Sequence, residues 1–289
     1  MWRLSIITDE VTHDFQRALD WVQAHGLRWI ELRSINRRNL MDLTDEEMWA
    51  IRRDLDRRGL KTICIASPYL KCSLYEGAPA ERGDTFFSQA DDYAGHRVIL
   101  QRAIAASRIF GTDQVRIFSF WKEPTPTPQM WDLIVQRLQE SVAVAERAGV
   151  ILAIETEPAV NAATGRQVRA LIDRVQSPAL RAVWDPGNVI WAGDDPIADY
   201  SHLRGIIAHV HLKDAILTVE GKAMPAILGE GKVGYPKPLE LLQADGWEGG
   251  LSLEPHMGMI STEEQWAEGC HRCLVNLRGW LDELGVMYE

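Results

Sequence analysis

The sequence lacks the segments that carry a protein into or across a membrane. None of its apolar runs reaches the ~18 residues that a transmembrane helix needs. The N-terminal stretch MWRLSIITDEV has no basic segment followed by a long apolar one, so it does not resemble a signal peptide. Both absences predict a cytoplasmic protein with no membrane partner.

Cysteine is scarce, and its spacing indicates no metal or redox site. The chain has four cysteines, of which Cys270 and Cys273 form a CxxC pair. This pair lies in a stretch of helical periodicity and has no second CxxC partner. We therefore interpret it as two semi-buried thiols one helical turn apart.

Positive charge is in deficit. Lys and Arg number 31 against 41 Asp and Glu, which gives a formal net charge of −10 and a pI near 5.3. Because such a surface repels a phosphate backbone, nucleic acid is not expected as a partner. A glycine-rich phosphate-binding fingerprint is absent as well, since TDEV follows the first candidate strand.

What the sequence does contain is a regular alternation of short apolar runs and amphipathic stretches. The eight candidate strands are residues 3–8, 28–33, 61–66, 114–119, 150–155, 180–185, 205–212 and 249–255. Between most of them, apolar residues recur at helical spacing, and several of these stretches stop at a glycine, as at Gly26, Gly59 and Gly149. Eight such units predict an α/β fold, a (β/α)8 TIM barrel that forms a single domain over residues 1–289.

Four acidic or imidazole side chains, which are unfavourable to bury, lie at the carboxyl ends of the last four predicted strands. Glu155 ends the fifth strand, Asp185 the sixth and His211 the seventh, and Glu254 follows the core of the eighth. Taken singly, each has a structural interpretation, such as a salt bridge, a core histidine or turn chemistry. Together they surround one mouth of the barrel, where three carboxylates would repel one another. A divalent cation removes that repulsion, and this donor set suits Mn²⁺, Mg²⁺ or Co²⁺, with Zn²⁺ as a further candidate.

The segment HVHLKD at the end of the seventh strand carries more polar groups than a ligand site needs. Period-two alternation places His209, His211 and Lys213 on one face. His209 lies one pleat deeper, so we interpret it as a core residue or a support for the ligands. Asp214 points the other way and is interpreted as a turn cap.

The chain resembles the xylose isomerase-like TIM-barrel superfamily, in its sugar-phosphate isomerase/epimerase branch. The resemblance covers nearly the whole chain, and its specific parts are the strand ending at Glu155, WDPGN (184–188), HVHLKD (209–214), GEG (229–231) and LEPH (253–256). It implies that Glu155, Asp185, His211 and Glu254 hold one divalent metal ion. It also implies that Glu155 and Glu254 are the catalytic pair, which moves a proton on opposite faces of the substrate.

Further polar and aromatic residues are candidates for binding a small, sugar-like substrate. They are Glu157, Asn188, Lys213, His256, Lys71 and Trp121. Lys71 and Trp121 lie in the long loops after the third and fourth strands, on the active-site face. Asn188 stands where several relatives have a histidine, which leaves the identity of the substrate open.

Two enzymatic hypotheses remain open, and both begin with proton transfer α to a carbonyl. The first is a metal-dependent isomerase or epimerase of a sugar, ketose or sugar phosphate. The alternative is a dehydratase of the same fold, similar to 3-dehydroshikimate or inosose dehydratase, in which His256 or Lys71 protonates the leaving group.

Two other hypotheses are disfavoured. An endonuclease IV-type repair enzyme shares this barrel but needs extra histidines after the early strands, and the net charge argues against DNA binding. A barrel that binds sugar without turnover is disfavoured by the complete ligand set. The oligomeric state is left open, and a homo-oligomer is compatible with the sequence.

Overall fold

Eight parallel strands form a nearly closed barrel. In the computed structural model, which describes residues 1–75, 84–88, 90 and 92–289, they are β1 (Arg3–Ile6), β2 (Trp29–Leu32), β3 (Lys61–Ala66), β4 (Gln114–Ile117), β5 (Ile151–Glu155), β6 (Leu180–Trp184), β7 (Ile207–Leu212) and β8 (Gly250–Leu253). Hydrogen-bonded neighbours run β1–β8–β7–β6–β5–β4–β3–β2. A parallel bridge between Ile7 and Glu31 brings β1 against β2. The predicted barrel is confirmed, and each strand lies within its predicted run.

Helices follow the strands, and several pack directly against them. They are α1 (Phe15–Ala24), α2 (Asp45–Arg58), α3 (Tyr93–Phe110), α4 (Pro128–Ala148), α5 (Gly165–Val175), α6 (Pro186–Trp191), α7 (Pro196–Leu203), α8 (Lys237–Ala244) and α9 (Glu263–Glu283). Their ends follow the local sequence. Thr44 and Glu47 form a capping box at the start of α2, and Gly59 ends that helix with φ 68°.

The barrel interior contains polar side chains below its active-site mouth. At one level the Ser5 and Ser252 hydroxyls lie 2.6 Å apart, and both are buried. Next to them, the Nε2 atom of His209 lies 2.9 Å from the Ser252 hydroxyl and 2.9 Å from a Glu31 oxygen. This hydrogen-bonded column leads from the middle of the barrel to the carboxyl ends of the strands.

The loops on the active-site face contain more structure than the sequence predicts. None of the eight candidate strands covers residues 214–226, yet an antiparallel hairpin pairs Asp214–Leu217 with Ala223–Ala226. The alternation of polar and apolar residues was too short there to predict a strand. Part of the long loop predicted over residues 67–95 lies outside the described residues.

Cys270 and Cys273 lie one turn apart on α9, as the CxxC spacing predicted, and both are fully buried rather than semi-buried. Within the described ranges, no helix has the length and apolar character that crossing a membrane requires.

Candidate metal centre and active site

The four predicted metal ligands lie together at the carboxyl ends of β5 to β8. Glu155, Asp185, His211 and Glu254 each offer one ligand atom, and these atoms all lie within 4.8 Å of one another. All four side chains are buried. The barrel produces this cluster because β5 to β8 are consecutive parallel neighbours, so their carboxyl ends meet at one mouth.

His211 is oriented by carboxylates on both sides of its ring. Its Nε2 atom lies 3.2 Å from each oxygen of Glu31, while its Nδ1 atom lies 3.1 Å from Glu155 Oε1 and 3.3 Å from Glu254 Oε2. Burial would lower the pKa of His211, but Glu31, Glu155 and Glu254 together raise it well above its usual range. The Nδ1 atom therefore faces the other candidate ligands Glu155 and Glu254, while Nε2 faces Glu31. The imidazole fits a metal ligand that donates its other N–H to a carboxylate.

Glu254 has one oxygen with no hydrogen bond. Its Oε1 atom accepts from Arg33 at 2.7 Å. Its Oε2 atom lies 3.1 Å from the Lys213 ammonium, within ion-pair distance but without hydrogen-bond geometry. A buried carboxylate oxygen without a hydrogen bond destabilises the folded protein, and a bound cation would compensate for the missing bond. This oxygen and the Nδ1 atom of His211 both fit a divalent ion in the site.

Glu155, in contrast, uses both oxygens for hydrogen bonds. Its Oε2 atom accepts from Arg116 at 2.6 Å, and its Oε1 atom lies 3.2 Å from the Asn188 amide nitrogen and 3.1 Å from His211 Nδ1. Burial would raise the pKa of Glu155, but Arg116 and His211 outweigh it and lower the pKa to about 2. The pKa of Glu254 is also lowered well below its usual range, because Lys213, His256 and His211 outweigh burial. The two glutamates therefore differ in hydrogen bonding, since one oxygen of Glu254 accepts none.

Asp185 is held by its own helix and by Lys213. Its Oδ1 atom accepts from the backbone N–H of Asn188 at the start of α6, and its Oδ2 atom accepts from Lys213 at 2.8 Å. Burial raises the pKa of Asp185 to about 6 even though Lys213 opposes the shift. Two of the predicted substrate residues, Lys213 and Asn188, thus contact the candidate ligands directly, and they lie 3.0 Å from each other.

Three other predicted substrate residues lie together in a second group, which we call the Lys71 box. It consists of Lys71, Glu157, Phe86, Phe118 and Trp121. The Lys71 ammonium lies 3.2 Å from Glu157 Oε2 and 4.4 Å from the ring centres of both Phe86 and Phe118. The Trp121 ring is 5.7 Å away. β5 ends at Glu155, so strand alternation does not explain the position of Glu157.

His256 lies at the rim of the mouth. Its Nδ1 atom is 3.0 Å from Glu10 Oε1, and its backbone adopts φ 52° just after β8. Burial would raise the pKa of Glu10, but His256 and Arg33 outweigh burial and lower this pKa to about 2. A cavity of about 390 Å³ opens here and is lined in part by Asp9, Glu10, Arg33, Asp84, Phe86 and His256.

Glu31, Arg33 and Arg116 are charged residues of this site that were not predicted from the sequence. Glu31 lies within β2 and supports His211 and His209, Arg116 lies within β4 and contacts Glu155, and Arg33 follows β2 and contacts Glu254. A signal existed for each, because WIELR and QVRI place a charge inside or beside an apolar run. The same signal identified the ligands on the last four strands.

A family model described as a xylose isomerase-like TIM barrel matches residues 19–275. The chain belongs to this family.

Two of its sequence relatives are named inosose dehydratases. An inosose dehydratase of Geobacillus thermodenitrificans is 23% identical over 220 residues, which cover 71% of this chain and 72% of that protein. An inosose dehydratase of Lacticaseibacillus casei is 21% identical over 217 residues, which cover 69% and 70% of the two chains.

Solved structures of the family share the fold. An L-ribulose 3-epimerase superposes with a TM-score of 0.74 at 18% identity, covering 98% of this chain and 95% of that one. The probable 3-DHS dehydratase AsbF of Bacillus anthracis has a TM-score of 0.70 at 18% identity, covering 95% and 98%. The IOLI protein, solved with a bound zinc atom, has a TM-score of 0.71 at 18% identity, covering 95% and 97%. At such identities the likeness establishes the barrel and leaves the reaction open.

Proposed function

We propose that this protein is a divalent-metal-dependent dehydratase of a polyhydroxylated ketone. Glu155, Asp185, His211 and Glu254 would hold the ion, which when bound supplies the polarisation that acidifies the carbon next to the carbonyl. The observation that carries the proposal is the difference between the two glutamates. One oxygen of Glu254 accepts no hydrogen bond, whereas both oxygens of Glu155 accept hydrogen bonds.

Glu254 is the proposed base. Arg33 fixes one of its oxygens at 2.7 Å. The other oxygen lies 3.1 Å from the Lys213 ammonium and 3.3 Å from His211 Nδ1 but accepts no hydrogen bond, so it is the oxygen proposed to accept the substrate proton. Both oxygens of Glu155 accept hydrogen bonds, from Arg116, Asn188 and His211, so Glu155 is less suited than Glu254 to accept a substrate proton. An epimerase needs an acid–base group on each face of the reacting carbon, and this asymmetry supports only one such glutamate.

Lys71 is the proposed acid for the leaving hydroxyl. The Phe86 ring lies 4.4 Å from the Lys71 ammonium and 4.4 Å from the guanidinium carbon of Arg33, which holds Glu254. Lys71 and the Arg33–Glu254 pair thus flank the same ring. The α-proton would pass to Glu254, the C–O bond to the β-hydroxyl would break, and Lys71 would protonate the departing oxygen. One water is lost, and a double bond conjugated with the carbonyl forms.

The names of the sequence relatives also favour dehydration. Two of them, matched over about 70% of their length, are called inosose dehydratases. The isomerase or epimerase that the sequence analysis put first shares the initial proton transfer, so the product must separate the two hypotheses.

The test follows inosose in deuterated water with the metal-loaded protein. The wild type should form an unsaturated ketone, detected by its ultraviolet absorption, and should exchange the α-proton, detected by NMR. Glu254→Gln should retain metal but lose at least about 100-fold in both rates. Glu220→Gln, which changes an exposed carboxylate of the hairpin after β7, is the matched control and should change neither.

Two outcomes would contradict the proposal. An epimer formed without any unsaturated ketone would favour the epimerase hypothesis. A Glu254→Gln variant with full metal content and full proton exchange would remove Glu254 as the base.

A further inference from the structure

We propose that the site selects an uncharged polyhydroxylated ketone and rejects substrates that carry a carboxylate or a phosphate. This inference rests on the proposed function for the reaction, but it concerns the charge of the substrate. Three observations carry it: the charges at the cavity, the pairing of the cations beneath it, and the occupation of a backbone N–H cradle by an internal carboxylate.

Among the described residues, the charged and titratable side chains that line the cavity at the mouth are three carboxylates, one arginine and two histidines. Asp9, Glu10 and Asp84 line it, and Arg33 is the cationic Lys or Arg side chain that lines it within the described residues. Arg33 already contacts Asp9 at 3.1 Å, Glu10 at 2.5 Å and Glu254 at 2.7 Å. Its charge is therefore neutralised by the protein's own carboxylates, and an anion that enters the cavity meets a negatively charged rim.

The cations beneath the cavity are paired as well. Lys71 lies 3.2 Å from Glu157, and Arg116 lies 2.6 Å from Glu155. Lys213 lies 2.8 Å from Asp185 and 3.1 Å from Glu254. The Phe86 ring covers this region, at 4.4 Å from Lys71 and 5.4 Å from Arg116. An anionic substrate would have to break one of these buried ion pairs, which leaves a carboxylate uncompensated.

The formal charges of the whole region around the cavity also sum to a negative value. The cavity lining, the metal centre and the Lys71 box contain eight carboxylates, on Asp9, Glu10, Glu31, Asp84, Glu155, Glu157, Asp185 and Glu254. Against them stand four Lys or Arg side chains, on Arg33, Lys71, Arg116 and Lys213, and the His256 imidazole, whose charge acts on Glu10. Eight negative charges against five positive ones leave three, and a divalent ion offsets two of these, so the loaded site still carries a net negative charge.

The place where TIM barrels often bind phosphate is already filled. Phosphate groups in this fold are frequently held by the loops after the seventh and eighth strands. Here the Asp214 carboxylate accepts from the backbone N–H groups of Gly229 at 2.8 Å, Gly231 at 3.0 Å and Val233 at 3.1 Å. A Cβ atom on Gly231 would lie 2.1 Å from an Asp214 oxygen, so the fit is close. The internal carboxylate occupies donors that a phosphate would need.

The test compares ligands that differ in charge. Inosose is paired with 3-dehydroshikimate, and a ketohexose is paired with its 6-phosphate, and binding to the metal-loaded protein is measured by calorimetry. The neutral member of a pair should bind at least about tenfold more tightly at low salt, and the difference should shrink at about 0.5 M salt because the charges are screened. Equal or tighter binding of an anionic member, or binding of neither neutral ligand, would overturn the inference.

A rim variant sharpens the test. Asp84→Asn keeps the oxygen that accepts from the Phe86 backbone N–H at 2.7 Å but removes one exposed charge. It should strengthen binding of the anionic ligands about threefold and leave neutral ligands unchanged, while Glu46→Gln on the exposed surface of α2 should change neither. Equal effects of the two variants would count against a role for the rim. Tight binding of a neutral ligand without α-proton exchange would contradict the proposed function and leave the charge selection standing.

Discussion

Replacing Glu31 with Gln should weaken metal binding, although Glu31 is outside the proposed ligand set. The Glu31 carboxylate is buried in β2 and lies 3.2 Å from His211 Nε2 and 2.9 Å from His209 Nε2. Its charge keeps a proton on Nε2 of His211, which leaves Nδ1 as the nitrogen that can bind a cation. Glutamine has one acceptor oxygen for two imidazole donors, and its own N–H groups would then face one of them.

The size of the effect follows from that mismatch. Losing the carboxylate that orients a metal-binding histidine costs about 10- to 100-fold in metal affinity, or about 1.4–2.8 kcal/mol. One buried imidazole N–H also loses its acceptor, which lowers the free energy of unfolding by about 1–3 kcal/mol. Both changes should occur in the same variant, because they have the same cause.

The assay titrates metal-free protein with Mn²⁺ or Co²⁺ and follows unfolding in urea. The matched control is Ser252→Ala, which removes the 2.9 Å contact of His209 with the serine hydroxyl and leaves the contact of Glu31 with His211 intact. We expect this control to bind metal within about twofold of the wild type, since the orientation of the ligating histidine is unchanged. Wild-type affinity in Glu31→Gln, or an equal loss in Ser252→Ala, would refute the reasoning.

Two further predictions concern the acid and the pH dependence of stability. Lys71→Met keeps an unbranched side chain in the Lys71 box but removes the proton donor, so dehydration of inosose should fall at least about 100-fold while α-proton exchange continues; a parallel loss of both rates would remove Lys71 from the acid role. Burial raises the pKa of Asp199 to about 6 despite a backbone hydrogen bond from Gly165. Its stabilising contribution is therefore present below about pH 4 and lost as pH rises through about 6. Asp199→Asn should remove that pH dependence and be more stable than the wild type near pH 7.5 by up to about 3 kcal/mol in urea unfolding; an unchanged pH profile would contradict this.

The sequence by itself determined the barrel and the positions of the ligand cluster. Strand and helix periodicity are local, and so are the signals that end helices, as at Gly59 and Gly149 with φ near 70°. Once eight parallel strands are accepted, the meeting of their carboxyl ends is a consequence of topology. Glu155, Asp185, His211 and Glu254 could therefore be placed together without any knowledge of their contacts.

Only the tertiary structure decided which charges support these residues. Glu31 and His211 are 180 positions apart and Arg33 and Glu254 are 221 positions apart, so no local pattern pairs them. A charged residue within a strand gives the same local sequence pattern whether it forms a structural ion pair or supports a metal ligand. The Phe86 ring over Lys71 depends likewise on a loop, which has no periodicity to predict it. The difference between Glu254 and Glu155, on which the proposed reaction rests, arises entirely from such long-range contacts, because the pKa and hydrogen bonding of a buried carboxylate are set by whatever side chains the fold brings beside it.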